Sequence, residues 1–457
     1  MDTTEPAAHA LEAKTMRRAV AGAAVGNTIE WFDYGIYSYL TTSIGLNFFP
    51  DADGTARLLL VFAGIAIPFV LRPFGGLVLG PLGDKYGRRR ILAFTIIIMS
   101  AASFVVGLIP SYSTIGIAAP ILLLVARLVQ GFSTGGEYGG AATFIAEHAP
   151  TRRRGFFGAF LEFGSTTGAM LGAALATLMQ VTLSPASLNS WGWRIPFLIA
   201  GVLGIVGLYL RNRIEESPAF REAENRGETA AAPVKEVFTN VWPQVLKLMG
   251  FAILINVATY TVLAYMPTYL TQVLKIGDLE SLGILLLIMF CMLLLIVPTG
   301  ALSDRIGRKP LLLFSTIGFL VLSYPSIALL QTATVGGIVA GVAILAVLLV
   351  PILATIGSVL PAMFPTRNRY GGFAIGYSVS TAAFGGTAPL VITALIDATG
   401  SNSIPAFYLM GAAVIALVPV ILIPETARVS ISHPTEIPGT DGRPRRDVPL
   451  TEEPAVS

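Results

Sequence analysis

The sequence predicts an all-α membrane protein of twelve transmembrane helices, arranged as two six-helix pseudo-repeats with both termini cytoplasmic. Three observations lead there. Of 457 residues, 54% are apolar and only 12% charged, about half the charge of a soluble domain. The apolar residues gather in runs of roughly 20, the length that crosses a bilayer. Finally, the charged turn "GPLGDKYGRRRIL" at 80–92 returns as "GALSDRIGRKPLL" at 300–312.

The candidate spans fall near 19–47, 57–82, 90–110, 117–146, 155–183, 191–211, 245–273, 280–302, 310–330, 335–363, 370–397 and 403–424. In lipid every backbone polar group needs an internal partner, so these segments are helices. Residues 1–18 form a polar cytoplasmic tail with Lys14, Arg17 and Arg18. The apolar stretch behind it is too long for a signal-peptide core and is expected to be retained as the first span. Nearly all Lys and Arg residues lie in the tails and the even-numbered connections; Arg57, Arg194 and Lys275 are on the other side, and Arg72 and Arg127 within spans. Positive residues stay inside, which sets the orientation. Trp191 and Trp193, at the start of the sixth span, read as interfacial belt residues.

The charged, alanine-rich connection 212–244 divides a first half, 19–211, from a second, 245–425. The segment 426–457 is rich in proline and charge without a heptad pattern, and reads as a disordered cytoplasmic tail. The two related turns join the second span to the third in each half. A second echo, "PTRRRGFFG" at 150–158 and "PTRNRYGGF" at 365–373, joins the fourth to the fifth. Two echoes at nearly one offset point to duplication, and parallel six-helix repeats around a central path are a transporter architecture.

Composition also excludes function classes. The single cysteine, Cys291, leaves no intrachain disulfide and no cysteine-held metal cluster. His9, His148 and His433 lie outside the apolar runs, so a histidine relay within the membrane is ruled out, and a net charge of +3 gives no reason to expect nucleic acid. No nucleophile triad or metal set marks a membrane enzyme, and the loops are too short for a scaffold domain. The expected partners are a small-molecule substrate, protons and membrane lipid, with no cofactor and no metal.

Charges within spans are costly and therefore functional candidates. They are Glu30, Asp33, Glu137 and Glu162 with Arg72 and Arg127, all in the first half. At ~1.5 Å per residue, Asp33 and Arg127 lie about 18 and 15 Å from the outer face and can meet; Arg72 is left to pair with Glu30 or Glu137. Glu30, Asp33, Tyr34 and Tyr37 share one face of the first span, and Arg127, Gln130, Thr134 and Glu137 one face of the fourth. An acid set against an arginine can act as a proton switch, because moving the partner moves the proton. Asp33 is the expected proton carrier, with Arg127, Glu30 and Glu137 in the coupling network. Tyr34, Tyr37, Asn256, Tyr260, Tyr265 and Tyr377, with Arg127 and Gln130, are the expected substrate lining, since aromatic faces attract quaternary ammonium groups. Gly131, Gly135 and Gly139, and Gly164, Gly168 and Gly172, are spaced for close helix packing in the fourth and fifth spans. In the repeated turns, Gly80, Asp84, Gly87 and Arg88, and Gly300, Asp304, Gly307 and Arg308, form a candidate gating motif in which an aspartate finds a helix N-terminus.

These turns, with "IEWFDYGIYSYL", "RPFGGLVLGPLGDKYGRRR", "RLVQGFSTGGEYGGAATFIAEHAPTRRRG", "WGWRIPF" and "LPAMFPTRNRY", resemble the metabolite–proton symporter branch of the major facilitator superfamily from about residue 20 to 425. "AYMPTYL" at 264–270 and the "PAMFPT" region are most similar to proline/betaine transporters. The resemblance implies a proton symporter importing a small zwitterion such as proline or glycine betaine, with Asp84 and Arg88 as the principal inner latch; it also supports the Asp33–Arg127 pairing. The alternative is the same machine carrying 2-oxoglutarate, citrate or shikimate. A drug exporter is disfavoured, because the proline-bearing glycine motif usual there is absent from "GSTTGAMLGAALA" at 164–176.

Overall fold

A computed structural model describes residues 4–86, 88–212, 239, 241–365, 369–429 and 431, without the side chains of 4–15, 17–19, 65, 80–81, 83–89 and 210–212. The described chain is helical, and its long helices are α1 (Thr4–Tyr39), α2 (Gly54–Tyr86), α3 (Arg88–Leu108), α4 (Ala118–His148), α5 (Arg154–Thr182), α6 (Ile195–Asn212), α7 (Trp242–Val273), α8 (Asp278–Ile306), α9 (Lys309–Gln331), α10 (Val335–Val359), α11 (Arg369–Thr399) and α12 (Ile404–Leu422). Among the described residues, ten helices are long and apolar enough to cross a membrane; α1 and α5, which carry more polar side chains, are not among them. Most of the 212–244 connection lies outside the described residues.

The distribution of polarity is that of a protein in lipid. Ile205 and Val181 are 70% and 67% exposed, whereas Glu30, Asp33, Arg72, Arg127, Glu137 and Glu162 are at most 5% exposed. Water-soluble folds invert this pattern. Local chemistry fixes the ends. Asp53 accepts the amide of Ala56 at 2.8 Å ahead of α2, and Thr334 that of Gly337 at 3.1 Å ahead of α10, the N-cap arrangement that satisfies an otherwise free donor. Gly400 closes α11 with φ +68°, a conformation cheap only for glycine.

Three elements depart from the sequence expectation. The first span stops at Tyr39, and a separate helix, Thr41–Phe48, turns across the end of the bundle away from the termini. There Ser43 donates to Asn189 Oδ1 at 2.6 Å. The α11 helix is interrupted between Phe384 and Ala388, where a Cβ on Gly386 would overlap the Phe69 ring. Trp193 is not a belt residue: it is fully buried against Phe48 and Phe197, while Trp191 stays half exposed.

Within the first half α1 packs along α5, α2 along α4 and α3 along α6; in the second, α9 packs on α10 and α12, and α7 on α11 and α12. The halves meet where α5 runs along α8 and α2 along α11. These two contacts exchange under the duplication, because α2 and α8 are repeat counterparts, as are α5 and α11. The small-residue spacing works against α2 and α1 rather than between α4 and α5. A Cβ at Gly135 would overlap the Arg72 carbonyl, and one at Gly168 that of Thr28.

Gly168→Leu is therefore expected to force α5 away from α1, with overpacking costing roughly 1–3 kcal/mol or more. Gly411→Leu, on a face with no neighbour within 4 Å, is expected to be neutral. Thermal unfolding of the detergent-solubilised proteins checks this; equal midpoints for the two variants would refute the packing account.

Candidate functional site

The two arginines of the first half organise its centre. Arg127 on α4 donates to Asp33 Oδ2 on α1 at 2.9 Å and to Gln130 Oε1 at 3.0 Å. Gln130 in turn donates to the same Asp33 oxygen at 2.9 Å and to Ser103 on α3 at 2.7 Å. Gln130 thereby fixes the carboxylate from a second direction. The Arg127 guanidinium lies 3.8 Å above the Tyr37 ring, a favourable cation–π position. Its Nε and Nη2, and Asp33 Oδ1, have no hydrogen-bond partner among the described residues.

Arg72, from α2, pairs with Glu30 of α1 and donates Nε to Thr134 of α4 at 2.9 Å. Its guanidinium sits 4.5 Å from the centre of Phe69 and 5.4 Å from that of Tyr34. The close approach at Gly131 and Gly135 lets α2 deliver Arg72 here. Glu137 is fully buried on α4. Of the two partners open to Arg72, the geometry selects Glu30.

Around this pair stands a group of rings. Tyr34 lies 5.4 Å from Phe69, Phe69 5.5 Å from Tyr260, and Tyr260 5.5 Å from Trp31, centre to centre. Tyr260 belongs to α7, so the group spans both halves. The α7 helix widens into π-helical turns at Tyr260–Tyr265 and Tyr269–Val273, on either side of Pro267; such turns often mark functional segments. Tyr377 is stacked on Tyr138 at 4.5 Å. Tyr265 faces Phe62 near the end away from the termini, and Asn256 donates back to Ala252 of its own helix at 2.7 Å. Phe69 and Tyr138 were not among the sequence candidates; Phe69 precedes Arg72 by one turn and Tyr138 adjoins Glu137, which was the available signal. No group of three or more His, Cys, Asp or Glu that could hold a metal occurs among the described residues.

The halves touch at both ends. At the far end Pro267 has no amide hydrogen for the carbonyl of Leu263, and the Tyr39 hydroxyl donates to it from α1 at 3.1 Å. At the termini end Tyr370 donates to Gly136 O at 2.6 Å. There Asp304 accepts the amides of Gly155 and Phe156, at the start of α5, at 2.8 and 2.9 Å. A carboxylate at a helix N-terminus meets both free donors and the positive end of the dipole. Gly300 lets α8 sit directly on Gly155. Gly307, with φ +99°, turns the chain so that the amides of Arg308 and Lys309 both reach the Glu425 carboxylate. Burial pushes the Arg308 guanidinium below its ordinary range, opposed by Asp304 and Glu425. Gly80, Asp84, Gly87 and Arg88 lie outside the described side chains.

The start of the expected disordered tail is instead folded over this end. Arg308 donates to Thr426 O at 2.7 Å, Arg154 to Val429 O at 3.0 Å, and Arg369 to Ile431 O. Ile431 is buried with Ala146 of the first half and Ala362 of the second. Residues 432–457 lie outside the described chain.

Comparison with known proteins agrees with this architecture. The Sugar (and other) transporter family matches residues 19–238 and 221–437. A proline/betaine transporter of Escherichia coli K12 is 43% identical over 421 residues, covering 90% of this chain and 84% of its own. The glycine betaine/proline/ectoine/pipecolic acid transporter OusA of Dickeya dadantii is 42% identical over 429 residues, 92% of this chain and 85% of its own. The solved structure of the proton:xylose symporter XylE, of the major facilitator superfamily, superposes with a TM-score of 0.77 at 17% identity, covering 92% of this chain and 98% of that one.

The two ends generate opposite expectations. Tyr39→Phe should loosen the far end and speed labelling of a cysteine placed at Phe62; Asp304→Ala should do so for one at Ala362, each in a Cys291→Ser background. A several-fold increase at the matching end alone is expected, and equal rates in variant and parent would refute the assigned contact.

Proposed function

The chain belongs to the sugar (and other) transporter family of the major facilitator superfamily, and from that premise we propose that it is a proton-coupled symporter importing a small zwitterion such as proline or glycine betaine. It is a multi-pass membrane protein of a transporter family. On this reading all twelve helices cross a bacterial inner membrane, the termini end is cytoplasmic, and the proton gradient drives transport without a cofactor.

The observation that carries the substrate class is an arginine of α4 with free donors together with a cluster of rings contributed by α1, α2 and α7. Arg127 keeps Nε and Nη2 for a substrate carboxylate, while Trp31, Tyr34, Phe69 and Tyr260 offer faces to a cationic nitrogen. Each arginine is already matched by a carboxylate, so a dicarboxylate would bring two charges to a site with no net positive charge to receive them. A ligand whose own charges cancel avoids that cost. The names of the relatives, proline/betaine and glycine betaine transporters, point the same way.

Coupling follows from the shared oxygen. A substrate carboxylate that draws Arg127 towards itself weakens its hold on Asp33, and a buried carboxylate losing its cation takes up a proton. The proton then neutralises Asp33 while Arg127 holds the substrate.

Uptake into proteoliposomes tests the substrate. Labelled betaine should be displaced by excess proline and hardly by 2-oxoglutarate, citrate or shikimate; stronger displacement by the carboxylates would overturn the zwitterion reading. Asp33→Asn should reduce accumulation driven by a pH gradient at least tenfold while counterflow exchange persists. Full gradient-driven uptake in that variant would remove Asp33 from the coupling.

A further inference from the structure

Among the described residues, four acids and two arginines are buried at the centre of the first half, and the two arginines are both taken, by Glu30 and by Asp33. Glu162, on α5, belongs to neither pair. It is 3% exposed, accepts the Tyr138 hydroxyl on Oε1 at 2.6 Å, and forms no ion pair among the described residues. Tyr138 is held from the other half. Its ring lies flat on Tyr377 of α11, 4.5 Å away and 11° from parallel, and edge-on to Phe373 at 6.0 Å.

The surroundings are otherwise poor in charge. Facing α5, α1 contributes Glu30, Asp33 and its tyrosines, and α4 contributes Arg127, Glu137 and Tyr138. The α10 helix has no titratable residue, α8 between Ser281 and Ser303 has only the exposed Cys291, and α6 has Tyr209 and Arg211 in its last turns. From α11 comes Tyr377. A carboxylate without a cation in such a place is far more costly than the neutral acid. The neutral carboxyl still offers Tyr138 an acceptor oxygen.

We propose that Glu162 is a second proton-binding site of the transport cycle, separate from Asp33, whose proton is retained while Tyr138 is stacked on Tyr377. Parting of α4 from α11 removes that stack and opens the site to water from the termini end. The carboxyl O–H bond then breaks, the proton passes to water, and the carboxylate that remains is solvated. Closure reverses the step. The stack thus connects the protonation of one half to its contact with the other. This inference rests on the proton-coupled reading above.

The test counts protons carried per labelled betaine in proteoliposomes of the full chain, using an internal pH-sensitive dye. In Glu162→Gln the count should fall by about one, the capacity of one carboxyl, and Glu162→Asp should restore it. An unchanged count in Glu162→Gln overturns the inference and leaves Asp33 coupling standing. A parent protein that moves no proton with betaine overturns the coupled reading itself. Should Glu162→Gln fail to fold, Tyr138→Phe carries the test, since it keeps both rings and removes only the hydroxyl. Glu162 then loses the donor to its charged form and holds its proton more tightly, so the pH profile of uptake should move to higher pH. An unmoved profile overturns the inference.

Discussion

A guanidinium enclosed by helices needs a counter-charge, and removing one partner of such a pair costs roughly 3–5 kcal/mol. Arg127 and Arg72 impose that constraint on the whole first half. Each draws α1 towards a different neighbour: Asp33 towards α4, and Glu30 towards α2. Helix α1 can meet both only because α2 lies close on α4, and it does so because Gly131 and Gly135 offer bare backbone there. The glycines are thus a condition for the charge network rather than a separate feature. With α1 pinned on one side, its opposite face packs on α5 through Gly164 and Gly168, and α5 in turn forms the contact with α8. The line from two buried arginines to the interface between the halves is continuous.

The second of the duplicated turns serves that interface at the termini end. Asp304 joins α8 to the start of α5 through two backbone amides. The residues that follow α12 add a strap. Three arginines, Arg154, Arg308 and Arg369, are each almost fully buried at this end, and the carbonyls of Thr426, Val429 and Ile431 accept from them. A carboxylate would also satisfy them, and among the described residues Asp304, Glu147 and Glu425 are at hand. Backbone oxygens make up the difference.

Much of this was legible in the sequence, and the limits have physical causes. The Asp33–Arg127 pair could be found because charge is rare in a span and depth follows from residue count. Depth carries no information about rotation, so Glu30 and Glu137 remained equal partners for Arg72 until α2 was seen against α1. Phe69 is invisible among apolar residues, and its role depends on an interruption of α11 that "FGGTAP" at 384–389 permits but does not require. Trp193 looked interfacial because aromatic residues at a span's end usually are; its burial depends on Phe48, which arrives from a helix the first span was expected to contain. The strap was misread for a different reason. Its contribution is made by main-chain carbonyls, and every residue has one, so composition could not distinguish it from a disordered tail.

The two ends of the bundle are closed by contacts of unequal strength, and that inequality bears on how the cycle is set. Among the described residues, the far end relies on one neutral hydrogen bond, from Tyr39 to Leu263 O, and on the ring contact of Phe62 with Tyr265. Such contacts are worth about 0.5–1.5 kcal/mol each. At the termini end, Asp304 accepts two amides, Arg369 meets Glu147 across the halves, and Ile431 is buried between them. Hydrogen bonds to charged groups contribute about 1.5–3 kcal/mol. Parting the far end is therefore the cheaper motion. On the proposed orientation the substrate-free protein opens outward more readily than inward, as suits a carrier that must meet a dilute solute outside. Inward opening then requires that something weaken the stronger end, and the arginine and rings proposed to hold the substrate lie away from it, at the centre. What reaches from the centre towards that end is the stack of Tyr138 on Tyr377, anchored by a carboxyl. On the proposed coupling, a centre whose charges change with substrate and proton is placed to act on the tighter mouth through it.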